Sequence, residues 1–223
     1  MKIVTVLRSG GDYDENHVRW IHRQLPDNYE KICLTDLDIP DIKTIKLRTN
    51  FPGWWSKIEL FNPDLIDDDI FYIDLDVVVV GDITELTEQR ELMMLEDFFS
   101  QEMYNSAMMF IPHNEKMKVW KTFNKYPEQF MTRYKKGGDQ EFISRILPHA
   151  KNWQHLFPGK ICSYKKHVVK KSKKYSLSVG NGKLPDDIRI VFFHGKPRPW
   201  NSGEKWVPSL QLEKEKGSHD FSK

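Results

Sequence analysis

Cysteine is scarce in this sequence of 223 residues, with only Cys33 and Cys162. Two thiols make neither a disulfide framework nor a zinc-ligand pattern, so both read as reduced packing residues of a cytosolic protein. Long apolar runs are missing as well, since nothing approaches the roughly 18 residues that cross a bilayer. The opening Met1-Lys2-Ile3-Val4-Thr5-Val6-Leu7 enters a strand pattern directly, so no cleavable leader is expected. The expected location is therefore cytoplasmic, with no transmembrane segment and room for a peripheral contact with a membrane. Charge of one sign is lacking too, the formal balance being only +2, so composition gives no reason to expect a nucleic-acid partner. Repeats and internal linkers are absent. One domain is expected over residues 1–205, with a polar tail over 206–223.

What is present suits a globular chain. Apolar residues make up 39% and charged residues 30%, a balance that excludes wholesale disorder. Strand and helix signals alternate through the first half, the signature of an α/β layer architecture. Ile3 to Leu7 reads as a strand, and Glu15 to Leu25 as a helix ended by Pro26. Short strands come next at Lys31–Leu34 and Thr44–Leu47, and Pro52-Gly53 opens a helix that runs to Phe61. Ile70-Phe71-Tyr72-Ile73 is apolar on both faces, as a covered central strand should be. It is read as running on through Asp74-Leu75-Asp76 into Val77–Val80; further strands are expected at Leu92–Leu95, Ala107–Ile111 and Ile188–Phe193, and helices at Lys116–Phe123 and Gln140–Leu147. The segment Tyr164 to Tyr175 holds six lysines and no acid, and reads as a solvated loop.

Four clusters carry chemistry. In Asp74-Leu75-Asp76 the carboxylates stand two apart after a buried strand, so both can face one hard cation at the edge where open α/β sheets bind ligands. Such a cation neutralises the charge that builds on a departing diphosphate. The apolar residues on either side make two solvated surface acids the poorer explanation. A second apolar strand ends in His194-Gly195-Lys196-Pro197-Arg198. Neutral His194 is either a surface residue at a strand end or a suitable third ligand for manganese or a similar ion, and Lys196 and Arg198 could take diphosphate oxygens. Gly137-Gly138-Asp139-Gln140 enters a helix with Asp139 as the expected N-cap, or with Asp139 and Gln140 turned to a sugar. Asn105-Ser106 leads into an apolar strand and either closes a turn or joins the site.

In this order the pieces resemble the family 8 glycosyltransferases. Phe71 to Val79 resembles the family's metal-binding strand, Gly81-Asp82-Ile83 the turn that succeeds it, and Asp139-Gln140-Glu141 its Asp-Gln-Asp motif. Trp55-Ser56-Lys57-Ile58 is similar to the family's lysine-bearing helix, and Asn105-Ser106-Ala107 to its Asn-Ser/Ala-Gly segment, with Ala107 in place of glycine. The resemblance implies a single GT-A type domain with a mixed, mostly parallel central sheet flanked by helices. It implies a hexose moved from a UDP-sugar to a hydroxyl acceptor, such as a glycan or glycolipid, with Mn2+ or Mg2+ and with retention. Asp74, Asp76 and His194 would hold the metal. Lys57 and Lys196 would contact phosphate or sugar, and Asp97, Asn105 and Asp139 the donor hydroxyls. Gln140 would stand near the anomeric carbon, and Val4-Thr5-Val6 with the loop to Gly11 would receive uracil and ribose. The ending His194 to Trp200 is shorter than the family's, which leaves Lys196 and Arg198 as alternatives for the phosphate cation. Two other readings are a haloacid-dehalogenase-like phosphatase and a sugar-nucleotide-binding protein without turnover. The first normally carries its Asp-x-Asp on the first strand, whereas Asp74 comes after three strand candidates.

Overall fold

The computed structural model describes residues 1–100 and 103–211. In chain order the elements begin with β1 (Lys2–Leu7), α1 (Glu15–His22), β2 (Lys31–Thr35), β3 (Thr44–Lys46) and a 3₁₀ helix at Gly53–Phe61. Next come β4 (Ile70–Ile73), β5 (Val77–Val79), α2 (Thr84–Thr87), β6 (Met93–Glu96) and β7 (Tyr104–Ile111). The second half holds α3 (His113–Lys125), α4 (Pro127–Arg133), α5 (Gly138–Ile146), β8 (Lys151–Asn152), α6 (Trp153–Leu156), β9 (Ile161–Ser163), a π turn at Tyr164–Val168 and β10 (Ile190–Phe192).

Seven strands form the central sheet in the order β3-β2-β1-β4-β7-β6-β8. β3, β2, β1 and β4 are mutually parallel, β7 runs antiparallel to both β4 and β6, and β8 lies parallel to β6. The sheet is thus mixed and mostly parallel, flanked by helices, as expected. Strand side chains alternate between faces, and here the alternation feeds two separate cores. Ile3, Phe71, Ile73, Met108 and Phe110 enter one core with α1 residues Val18 and Ile21. Val4, Ile70, Tyr72, Met109 and Ile111 enter the other with Ile58, Phe61, Val119 and Phe142. This explains why β4 is apolar at every position: neither face meets water.

Several boundaries differ from those read from sequence, each for a local reason. α1 stops at His22 rather than at Leu25, because the chain tightens ahead of Pro26 into i→i−3 bonds, Gln24 N–H to the Ile21 carbonyl and Leu25 N–H to that of His22, and the Lys31 ammonium caps the carbonyls of His22 and Leu25. Val77–Val79 does not extend β4 but pairs antiparallel with β10, which is joined to β9 in a second, three-stranded sheet. The turn between β4 and β5 is therefore a passage from one sheet to the other. The segment from Gly53 is 3₁₀ over nine residues. Its buried Glu59 accepts N–H bonds from Arg48 (2.7 Å) and Thr49 (2.9 Å), which ties it to the preceding loop. Beyond residue 205, Trp206, Val207 and Leu210 pack on the first core, and Trp20 Nε1 donates to the Pro208 carbonyl at 3.0 Å. The rest of the expected tail lies outside the described residues. Among those residues no helix is long and apolar enough to cross a membrane. Both cysteines are buried and free, their thiols pushed up to about 12 by burial, as packing residues should be.

Candidate functional site

A cavity of about 720 Å³ opens at the carboxyl ends of β1 and β4. Its walls come from the loop after β1, the 3₁₀ helix, the turn after β4, the start of β7, the start of α5 and the segment after β10. Of the residues singled out from sequence, Gly11, Lys57, Asp74, Asp76, Asp97, Asn105, Ser106, Asp139, Gln140, His194 and Arg198 all line it.

The chemistry begins with Asp74. Tyr72 lies two residues earlier on the same strand face, and its hydroxyl donates to the Asp74 carboxylate. Lys57 approaches from the 3₁₀ helix on that face, 2.9 Å from Asp74 and 3.6 Å from Asp139. Ser106 Oγ completes the group by donating to Asp139 at 2.8 Å. Burial works against the Lys57 ammonium, but the charges of Asp139 and Asp74 outweigh it and hold the pKa above the ordinary lysine value. Asp139 is nevertheless raised, because burial exceeds what its one shared cation returns. The two shifts agree once the sharing is counted: one lysine serves two acids.

Asp76 turns elsewhere. Arg198 Nη1 stands 2.5 Å from its Oδ2, and Arg198 Nη2 reaches Asp12 at 3.0 Å while the guanidinium covers the Tyr13 ring. Burial raises the Asp76 pKa and the nearby Asp74 charge raises it further. The two carboxylates line the same cavity but are held by different cations, Asp74 by Lys57 and Asp76 by Arg198. Asp74 still continues the strand, its N–H bonded to the Ala107 carbonyl at 2.9 Å, but Leu75 and Asp76 form a turn, so the period of two does not carry from Asp74 to Asp76. Among the described residues no three acidic, imidazole or thiol groups gather around one cation position in this arrangement. Arg198 is the cation that Asp76 holds instead.

His194 lies just past β10 with a left-handed backbone, φ 52°, and its ring packs on Phe98 at 4.9 Å between centroids. Burial lowers its pKa to about 4, so the imidazole is neutral. Its Nε2 is buried without a hydrogen-bond partner among the described residues. An orphaned nitrogen of this kind costs stability unless a ligand completes it. Together with two mutually repelling carboxylates it fits, in kind, the donor set of a divalent cation.

Asp97 caps its own loop, accepting the N–H groups of Phe99 (2.9 Å) and Ser100 (3.0 Å). Its other oxygen takes the amides of Asn105 (3.4 Å) and Gln140 (3.3 Å), which fixes both in the cavity wall. Asp139 is not the N-cap of α5: the helix starts at Gly138, and the carboxylate turns inward to Lys57 and Ser106. Gly138 has φ 63°, and a Cβ there would lie 2.7 Å from Trp54 Nε1, so glycine is required on both counts.

Three expected site residues are not brought in. Val4 and Thr5 are fully buried in β1, where Thr5 Oγ1 is 3.0 Å from His22 Nε2, and the cavity begins at Val6. Lys196 is exposed and lines no part of the cavity. The shorter ending turns it outward and sets Arg198 in the wall. Conversely, Tyr13, Trp54, Tyr72, Phe99 and Lys136 line the cavity although sequence reasoning misses them. Tyr72 is available from strand alternation, since it shares a face with Asp74. Trp54 stands on the exposed side of the 3₁₀ helix, and Tyr13, Phe99 and Lys136 sit on loops, which carry no periodic signal.

The sequence matches no protein-family profile, and no curated protein shows significant similarity to it. Solved structures do share its architecture. The galactosyltransferase LgtC, solved with donor and acceptor sugar analogues, aligns at a TM-score of 0.57 and 14% identity, over 91% of this chain and 90% of its own. The glycosyltransferase GlyE of Streptococcus pneumoniae gives 0.60 at 14% identity, over 90% of this chain and 56% of its own. The bifunctional WbbM gives 0.56 at 13% identity, over 89% and 46%. The chain thus spans about half the length of the last two. At such identity what is shared is the fold, and this chain has the GT-A type fold of those glycosyltransferases.

Proposed function

We propose that this protein is a glycosyltransferase that moves a hexose from a UDP-sugar to a hydroxyl acceptor, with the organisation of family 8. The observation that carries the reading is the cavity itself. Two cations, Lys57 and Arg198, stand beside a set of sugar-compatible acids and amides, Asp97, Asn105, Asp139 and Gln140, at the strand ends of a fold shared with such enzymes. The neighbour solved with donor and acceptor sugar analogues supports the same assignment of substrates.

In this reading the loop from Val6 to Tyr13 receives the nucleoside, and Lys57 and Arg198 take the diphosphate. Arg198 releases Asp76 as it does so. Asp97, Asn105 and Asp139 bind donor hydroxyls, and the Asn105–Asp97 bond and the Ser106 hydroxyl on Asp139 hold them oriented before the sugar arrives. Gln140, fixed through Asp97, lies toward the anomeric carbon and stabilises the positive charge that develops as UDP leaves. Asp74, Asp76 and His194 would hold Mn2+ or Mg2+, which neutralises charge on the departing diphosphate when bound. Retention is the stereochemical outcome that the family organisation implies.

The test is incubation of purified protein with single UDP-hexoses and manganese, with UDP release monitored by coupled assay. Slow hydrolysis of one donor, lost in Asp76→Asn, supports transfer. Turnover of a phosphate monoester with no response to any nucleotide sugar would favour the phosphatase reading instead. Tight donor binding without hydrolysis or transfer would favour a binding protein.

A further inference from the structure

Positive charge gathers on one stretch of the chain near the cavity. From Phe157 to Pro185 there are eight lysines and no Asp or Glu, although the whole protein carries only +2. The charge is therefore segregated on one segment of a molecule otherwise net negative.

This segment is built, not loose. Lys165 Nζ donates to the His194 carbonyl at 2.5 Å and Lys166 Nζ to the Phe98 carbonyl at 2.6 Å, which corrects the expectation of a merely solvated loop. Val179 N–H donates to the Lys166 carbonyl at 2.8 Å and Gly182 N–H to the Val168 carbonyl at 2.7 Å, so two stretches lie side by side. Ser178 is the inward anchor, its hydroxyl bonded to the Lys166 and Val169 carbonyls. With Ser178 buried, its neighbours turn outward: Leu177 is 64% exposed and Val179 76%. Beside them Lys170, Lys171, Lys173 and Lys174 are all exposed.

We propose that this face docks on an anionic lipid bilayer, with the lysines on acidic headgroups and Leu177 and Val179 entering the interfacial layer. Charge complementarity selects an anionic partner. The two aliphatic residues select a bilayer over a nucleic acid, because they offer nothing to phosphates or base edges but gain free energy on leaving water. Lysine stems also lie readily along an apolar boundary while their heads stay wet. The docking face stands independently of the transferase reading.

The test is co-sedimentation of the full chain with vesicles of phosphatidylcholine alone and of phosphatidylcholine mixed with phosphatidylglycerol. Binding is expected only to the anionic vesicles, and it should weaken as salt rises. Replacing Lys170, Lys171, Lys173 and Lys174 by glutamine should reduce partitioning by on the order of a thousandfold. Leu177→Ser with Val179→Ser, at unchanged charge, should reduce it severalfold. Unchanged circular dichroism and melting temperature in both variants exclude misfolding as the cause. Absence of binding to anionic vesicles would overturn the proposal. So would an aliphatic double variant that binds them as tightly as the parent, or single-stranded RNA bound more tightly than the vesicles, since these mark a general polyanion surface.

Discussion

Arg198 Nη1 sits 2.5 Å from Asp76 Oδ2, and no more than 18% of either side chain is exposed. The pair joins the segment after β10 to the turn after β4, and through Asp12 it also reaches the loop after β1. Burial raises the Asp76 pKa and the nearby Asp74 charge adds to it, so Arg198 offsets both a desolvation and a repulsion. Arg198→Ala should therefore cost on the order of 2–3 kcal/mol in urea unfolding, the charge left behind being largely buried. Adding Asp76→Asn should restore part of that loss. Strict additivity of the two changes would mean that the pair is not coupled.

Lys57 carries a similar burden on the opposite side of the turn. Lys57→Met removes the cation shared by Asp74 and Asp139 and leaves the buried Asp139 and the half-buried Asp74 without it. A loss of about 3 kcal/mol is expected, partly recovered by Asp139→Asn in the same chain. Chemical unfolding of the single and double variants measures both. If Lys57→Met alone matched the parent in stability, the account of this triad would be wrong.

Gly138→Ala tests the α5 entrance. The left-handed backbone and the approach of Trp54 Nε1, 2.7 Å from the added Cβ, both oppose it. A destabilisation of about 1–2 kcal/mol is expected from the backbone conformation. Displacement of Trp54 should also weaken donor or acceptor binding, seen as a higher KM. Preserved stability and KM would show that the entrance yields freely.

Acid should unfold the protein partly through His22. Burial holds its folded pKa at about 4, against 6.5 for the free side chain, with the nearby Lys31 charge adding to the effect. Between these values the unfolded chain binds the extra proton and the folded chain does not, so stability rises with pH across that window. As pH falls from 6.5 to 4 about 3 kcal/mol should be lost through this one group. His22→Gln should flatten the slope of stability against pH in that window. An unchanged slope would assign the acid sensitivity to other groups.

Much of this architecture is legible in the sequence because burial leaves a periodic trace. β4 is recognisable since both its faces meet a core, and the order of strands and helices is recognisable from their spacing. The cavity's acids and amides are legible for a related reason: Asp74, Asp97, Asn105 and Asp139 interrupt apolar elements where a polar residue needs a purpose. Contacts between distant segments leave no such trace. That Arg198 rather than Lys196 meets Asp76 depends on how the segment after β10 turns, 122 positions away in sequence. Thr5 misleads because an alternating strand offers no sign of which hydroxyl is spent inside, here on His22. Asp139 misleads because a helix entrance suits an acid whether it caps or reaches inward.

The most direct test of the central claim is calorimetric titration of UDP into the protein with and without manganese, repeated with Asp76→Asn. The account predicts one site per chain, bound at least tenfold more tightly with the metal, and no gain from the metal in the variant. Absence of UDP binding under either condition would contradict it, and so would a manganese effect of equal size in Asp76→Asn.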